Sequence, residues 1–140
     1  MTVLLFTFVA CATSSRPTNI AKPEASVRPL GTPFFGSLSE AAPVDLEVTI
    51  TNRATETLHV RSIRVNSMGM TQYRIESIDQ RFHHDIAPGE TRALIVPALA
   101  VGTTRLQPTE PLLLRLDITF EVKATGKQFR EIYSGNRILF

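Results

Sequence analysis

The 140-residue chain contains no tryptophan, and only 7% of its residues are aromatic. Proteins that bind single-stranded nucleic acid stack bases on aromatic side chains and collect cations along the strand. In this chain 15 Lys and Arg residues are dispersed among 13 Asp and Glu residues, which leaves a formal net charge of +2. We therefore expect no nucleic-acid partner and no basic patch.

Motifs that carry chemistry are also missing. The 7 glycines do not cluster, so the sequence has neither a glycine-rich phosphate loop nor the glycine-flanked elbow that presents a serine nucleophile. The acidic residues Glu47, Asp117 and Glu121 fall on the polar side of alternating segments, where solvated charge is the expected role. We predict that the chain is not an enzyme and carries no cofactor.

The histidines are His59, His83 and His84, and the last two precede Asp85. A metal site needs three or four ligands that converge, whereas adjacent residues on a strand point to opposite faces. We interpret His83-His84-Asp85 as polar residues at a strand end and predict no metal. A metal or catalytic role and a pH-sensitive contact are the alternatives.

The only cysteine, Cys11, follows an uncharged and mostly apolar run at residues 2–10. The run is too short to cross a bilayer, which takes about 20 apolar residues, but it fits a secretory signal segment. Phe8-Val9-Ala10-Cys11 resembles the lipobox of bacterial lipoproteins, which implies that Cys11 is lipidated and becomes the new N-terminus. By the same resemblance, Ala12 implies the outer membrane, facing the periplasm. Two alternatives fit these residues: a cleaved signal without a lipid, and a buried N-terminal strand with Cys11 in the core.

Composition divides the chain into three parts. Residues 1–10 have the pattern of the signal segment, and residues 11–33 are rich in Ser, Thr and Pro, a composition typical of an extended tether. Residues 34–140 are long enough for one domain with its own core. We therefore predict one folded domain beyond the tether and contact with the membrane through the lipid, with a protein partner in the envelope as a further expectation.

Alternation with a period of two dominates the predicted domain. Apolar and polar residues alternate over residues 44–51. From Leu112 to Val122 every second residue is apolar, and the residues between them are polar from Arg115 onwards. Such a pattern buries one face of a strand and exposes the other. Turn-forming residues at Pro88-Gly89 and at residues 124–127 separate further short strands. About seven strands without a helical period predict an all-β fold, an immunoglobulin-like two-sheet antiparallel β-sandwich.

Three local features add detail to this prediction. The alternation slips at Arg61 and Ser62, which predicts a β-bulge. Residues 93–96 are apolar on both parities, as in a central or doubly covered strand, and we expect this strand to end near Pro97. The apolar C-terminus, Ile138-Leu139-Phe140, is expected to dock on its own sheet, with docking on a partner as the alternative.

The order of these pieces resembles the LEA14-type desiccation-related domain, also called the water-stress and hypersensitive-response domain. In that family an alternating strand ends in an Asn-containing turn, and a Pro-Gly turn leads into an apolar strand that closes with a proline. The corresponding pieces are residues 44–52, 58–65, 86–89, 94–97 and 117–133. The resemblance implies a non-enzymatic envelope or stress-protective protein. We predict a lipid-anchored binding or structural module, with a scaffold or pilot subunit of a secretion or pilus complex as the alternative.

Overall fold

The computed structural model describes residues 15–31, 41–68, 73–102 and 111–138. Every regular element in these ranges is a β-strand, so the predicted all-β fold is confirmed. Within the same ranges there is no helix with the length and apolar character needed to cross a membrane. The described strands are β1 (Glu24–Pro29), β2 (Ala41–Thr51), β3 (Leu58–Ser67), β4 (Tyr73–Ser77), β5 (Gln80–Ile86), β6 (Thr91–Gly102), β7 (Leu112–Val122) and β8 (Lys127–Ile138).

The strands pair antiparallel in the order β1-β2-β6-β4-β3-β7-β8, and β5 also pairs with β3. Strand β3 pairs with β5 over its first half. Among the described residues its ladder with β4 is the single pair Asn66 and Glu76, beside which the Val65 N–H donates to Ser77 Oγ and the Ile75 N–H donates to Ser67 Oγ. The sheet curls until β8 approaches β1, where the Tyr133 hydroxyl donates a hydrogen bond to the Pro23 carbonyl oxygen over 2.6 Å. The sheet is therefore continuous and nearly closed, and the shortest of its ladders is the one between β3 and β4.

One face of the sheet packs into a shared hydrophobic core. The even-numbered residues 44–50 of β2 and 112–122 of β7 are all buried, as their alternation predicts. The rings of Phe120 and Phe129 stack inside the core with their centroids 5.4 Å apart. Ile138 is buried and pairs with Leu112, which confirms that this residue docks on its own sheet. Residues 139–140 lie outside the described residues.

The predicted β-bulge in β3 is confirmed. The register with β5 and β7 shifts between Val60 and Ser62, so Arg61 is an extra residue relative to β7. The shift allows Val60 and Ile63, three positions apart, both to be buried in the core. It also determines that Ser62 and Arg64 share the other face of the strand.

Residues 24–29 depart from the tether predicted over residues 11–33. They form β1, which pairs with β2 along its whole length and buries Val27. An edge strand tolerates a proline such as Pro29, because a residue at the edge does not need every ladder hydrogen bond. The proline-rich composition of this segment predicted an extended tether, but part of it is a strand of the sheet. The folded unit therefore begins before residue 34.

Strand β6 continues through Pro97 instead of ending near it. The Pro97 carbonyl oxygen accepts a hydrogen bond from the Ile78 N–H over 2.9 Å. The N and O atoms of one residue in an antiparallel strand point to the same neighbour, so the N–H that proline lacks faces the end of β4 and not β2. The central position predicted for this strand is confirmed, since β6 lies between β2 and β4. Its outer side is not fully covered by the described residues, because Ile95 is 57% exposed.

Candidate functional site

Four neighbouring strands place one polar row on the outer face of the sheet. The register pairs Arg81 of β5 with Ser62 of β3, Ser62 with Thr119 of β7, and Thr119 with Arg130 of β8. Paired residues on adjacent strands point to the same side of a sheet. Two arginines therefore flank two hydroxyl groups, and strands spaced about 4.8 Å apart keep the ends of this row within roughly 15 Å of each other.

The row forms the floor of a solvent-open depression, which we call the arginine groove. The groove has a volume of about 530 Å³, and its lining includes Ser62, Arg64, Asp79, Arg81, Thr119 and Arg130. Smaller depressions extend it towards Arg61 and His83 on one side and towards Arg115 on the other. The side chains of five arginines therefore surround one continuous concave surface.

Asp117 lies between two of these arginines. Its carboxylate pairs with the guanidinium of Arg130 and lies 3.9 Å from Nη2 of Arg115. The hydrogen bonds that Arg130 donates to Asp117 raise the pKa of the Arg130 guanidinium above its usual value. The Asp117 side chain is only 10% exposed, so the expectation of a simple solvated charge is wrong for this residue.

The remaining arginines of the groove differ in how firmly they are held. Arg64 donates hydrogen bonds to both carboxylate oxygens of Asp79, with an Nη2–Oδ1 distance of 3.1 Å, but the Asp79 side chain is 78% exposed. Arg61 pairs with Glu121 at 3.2 Å. Arg81 is exposed and pairs with no carboxylate in the part of the chain that the structure describes. The groove therefore contains one guanidinium that is free and one that is held by an exposed partner.

His59, Asp85 and Lys123 form a polar cluster beside the groove. Nδ1 of His59 lies 2.6 Å from Oδ1 of Asp85, and the Lys123 ammonium group donates to the other carboxylate oxygen. The hydrogen bond from Lys123, followed by that with His59, holds the pKa of the Asp85 carboxyl below its usual range. The cluster links the ends of β3, β5 and β7 on the outer face.

The two adjacent histidines of β5 diverge, as expected for neighbouring residues on a strand. The rings of His83 and His59 are 6.0 Å apart, whereas the ring of His84 lies near that of Phe82, at 6.5 Å. In the described ranges, no group of three His, Cys, Asp or Glu side chains is arranged to hold a metal ion. His83 therefore lies on the same face as the polar cluster, beside His59, whereas His84 lies on the opposite face.

The other residues singled out from the sequence have separate positions. Glu47 pairs with Arg28 at 2.6 Å on the outer face of β2, and this hydrogen bond lowers the pKa of Glu47. Glu47 therefore lies on a different part of the sheet from Asp117 and Glu121. Cys11, the predicted lipidation site, lies outside the described residues.

The outer face of β6 carries exposed apolar side chains, whereas the arginine groove is lined mainly by polar and charged ones. Ile95 and Leu99 both point outwards and are exposed, and Ile78, also exposed, follows β4 and hydrogen-bonds to Pro97. We call Ile78, Ile95 and Leu99 the apolar strip. Exposed apolar side chains that adjoin one another indicate a contact surface more strongly than isolated ones do.

The arginine groove was not expected from the sequence. Its arginines are dispersed along the chain, and each one resembles an ordinary polar residue of an alternating strand. The predicted absence of a basic cluster is wrong for the folded sheet, because antiparallel pairing brings Arg64, Arg81, Arg115 and Arg130 onto one face. The available signal was the hairpin of β7 and β8, whose short turn places Arg130 opposite Thr119.

No protein-family model matches the chain, and no curated protein matches it in sequence. Solved structures do resemble its fold. The X-ray structure of the Northeast Structural Genomics Consortium target SoR45 matches with a TM-score of 0.58 and 11% identity, over 85% of this chain and 86% of that one. A Bordetella pertussis protein assigned as ApaA matches with a TM-score of 0.50 and 16% identity, over 89% of this chain and 96% of that one. At these identities the similarity supports the all-β fold alone.

Proposed function

We propose that this chain is a non-enzymatic binding module of the bacterial cell envelope, anchored at the outer membrane by a lipid on Cys11, and that it binds its partner through the arginine groove. The observation that carries the binding role is the row of Arg81, Ser62, Thr119 and Arg130. Strands hold such side chains more accurately than loops do. The lipobox-like residues 8–11 support the anchor.

Within this proposal the fold is an immunoglobulin-like sandwich. One layer consists of β1, β2, β6 and β4, and the other consists of β5, β3, β7 and β8. Among the described residues the ladder between the two groups is the single pair Asn66 and Glu76, which is short compared with the other ladders and so supports this division. Sandwiches of this kind commonly act as binding modules. The resemblance to the LEA14-type domain supports a structural or stress-protective role for the same module.

Replacement of Cys11 tests the anchor. The Cys11→Ser chain, produced from its natural gene, should lose the acyl group and accumulate as an uncleaved precursor. It should also leave the membrane fraction, because each buried methylene of an acyl chain adds about 0.8 kcal/mol of membrane affinity. Mass spectrometry and membrane fractionation measure these changes. Ser14→Ala is the matched control and should stay acylated and attached. Unchanged attachment and mass in Cys11→Ser would contradict the anchor.

Binding through the groove is tested with the full-length protein in neutral detergent micelles, passed over immobilised cell-envelope material. The double variant Arg64→Gln/Arg81→Gln should be retained at least about tenfold more weakly, because charge-assisted guanidinium contacts to an anion are lost. The control is Arg74→Gln, an arginine of β4 that pairs with Glu76 away from the groove. Equal retention of the double variant and the unmodified protein would show that the groove is not the binding surface.

A second function, a scaffold or pilot subunit of a secretion or pilus complex, is favoured by the apolar strip. Such a subunit needs a surface that stays in contact with other envelope proteins, and exposed apolar patches provide one. Isolation from detergent-solubilised membranes separates the two functions. A lone monomer favours the binding module, whereas a stable set of co-purifying envelope proteins favours the scaffold.

A further inference from the structure

We infer that the arginine groove binds a phosphate monoester, which replaces the Asp79 carboxylate at Arg64. This inference rests on the proposed binding function and adds the chemistry of the ligand. It is carried by the charge of the groove, by the arrangement of its donors and by the exposure of Asp79.

The charge of the groove matches a doubly charged anion. Among the described residues, five arginines surround the groove and its extensions, and three carboxylates pair with them: Asp79, Asp117 and Glu121. Two positive charges are therefore left over. A phosphate monoester carries a charge of about −1.5 to −2 near pH 7. A carboxylate or a phosphate diester carries a single charge and would leave the groove positive.

The donors also fit a phosphate group. A monoester presents three terminal oxygens, and guanidinium groups bind phosphate with two parallel hydrogen bonds. Arg81 pairs with no carboxylate among the described residues, and the partner of Arg64 is the exposed Asp79, so these two guanidinium groups are the ones open to an anion. Asp117 keeps Nε and Nη2 of Arg130, and the hydroxyl groups of Ser62 and Thr119 lie in the polar row as further donors. A volume of about 530 Å³ holds more than the phosphate itself, since small-molecule sites span about 300 to 1,000 Å³. The groove thus has room for a sugar-sized group attached to the phosphate.

Asp79 is the carboxylate that an incoming anion displaces. It lies between β4 and β5, its side chain is 78% exposed, and its contacts with Arg64 are 3.1 to 3.3 Å long. An exposed pair of this kind is weak. Asp117, by contrast, is 10% exposed and is shared by two arginines. In the free protein, Asp79 therefore accepts the hydrogen bonds of the Arg64 guanidinium group and competes with the ligand for them.

Calorimetric titration of the full-length protein in neutral detergent micelles tests the inference, with glucose 6-phosphate as the probe. Binding should saturate, and dimethyl phosphate, a diester, should bind at least about tenfold more weakly because it carries one charge. Arg81→Gln should weaken binding of glucose 6-phosphate at least about tenfold. Asp79→Asn should strengthen binding about threefold to fivefold, because the weak internal competitor is removed. Arg74→Gln is the matched control and should bind as the unmodified protein does.

The phosphate can be soluble or part of a lipid, and a second measurement distinguishes these sources. The protein is held by its lipid in phosphatidylcholine nanodiscs and mixed with vesicles that contain phosphatidic acid, a monoester, or phosphatidylglycerol, a diester. Binding to the phosphatidic acid vesicles alone identifies a lipid headgroup, and binding of glucose 6-phosphate without either vesicle identifies a soluble ligand.

Three results would overturn the inference: no saturable binding of either monoester, equal binding of monoester and diester, or Asp79→Asn weakening the binding of glucose 6-phosphate. Groove-dependent retention on envelope material would then persist if only the ligand class is wrong. It would be lost as well if the proposed function is wrong.

Discussion

Asn52 is fully buried, and every polar atom of its side chain has a hydrogen-bond partner. Its amide nitrogen donates to the carbonyl oxygens of Glu56 (2.8 Å) and Ile86 (2.9 Å), and its Oδ1 accepts from the Ala54 N–H (2.9 Å). Asn52→Asp puts a carboxylate where two carbonyl oxygens need a donor, so we expect the free energy of unfolding to fall by about 3 kcal/mol or more. Urea denaturation measures this loss. Asn66→Asp, at a half-exposed position of β3, is the control, and an equal effect there would contradict the prediction.

Asp85 should make stability depend on pH in the acid range. Its pKa in the folded protein is below the ordinary value of about 3.9, because Lys123 and His59 contact the carboxylate. The stabilisation is therefore complete above the ordinary pKa and is lost as the pH falls through the lower folded-state pKa. Below about pH 4 we expect the Tm of the unmodified protein to fall more steeply than that of Asp85→Asn, until the two curves converge. Parallel curves from about pH 2 to 7 would show that Asp85 has no such role.

At the scale of strands, local alternation predicted β2 and β7 well, because every even-numbered residue over 44–50 and 112–122 is buried. The slip at Arg61 and Ser62 predicted the bulge for the same reason. Strand β1 was missed, since an edge strand between Pro23 and Pro29 depends on its pairing with β2 and not on its own composition. Pro97 misled the prediction for β6 because the direction of its missing N–H depends on where β4 ends.

Register explains why the candidate site was harder to predict than the strands. Alternation shows that Arg64, Arg115 and Arg130 face away from the core, but it does not show which residues are neighbours across strands. That information lies in the pairing of β3 with β7 and of β7 with β8. The contact of Asp85 with His59 also joins residues of two strands. The site is therefore a property of the sheet, whereas its individual side chains are visible in the sequence.

The inward parity of β7 is testable with two identical substitutions on one strand. Leu116 is fully buried, whereas Leu113 points outwards and is partly exposed. Leu116→Asp puts a carboxylate into the core at a cost of several kcal/mol, and we expect this variant not to fold. Leu113→Asp should fold with a free energy of unfolding lowered by no more than about 2 kcal/mol, because the side chain is only partly buried. Circular dichroism and thermal unfolding distinguish the two, and a folded Leu116→Asp variant would show that the assigned faces are reversed.

At the scale of the whole molecule, the described residues include two outer surfaces that suit different kinds of partner. The arginine groove lies over β5, β3, β7 and β8, and it suits an anion. The apolar strip lies along β6 and the end of β4, and it suits another protein. Neither surface competes with the core, because the strand residues of both have the outward parity, and Ile78 and Asp79 are exposed residues of the connection between β4 and β5. One surface can therefore be altered while the fold and the other surface are preserved.

This independence makes the two proposed functions separable in one experiment. The double variant Ile95→Ser/Leu99→Ser removes apolar side chains that are only partly buried, so we expect it to fold with a free energy of unfolding lowered by no more than about 3 kcal/mol. Because binding is assigned to the groove, this variant should be retained on envelope material as the unmodified protein is, whereas Arg64→Gln/Arg81→Gln should not. The opposite result, in which loss of the apolar strip abolishes retention and loss of the two arginines has no effect, would assign the chain to the scaffold role, since contact would then depend on apolar burial and not on charge.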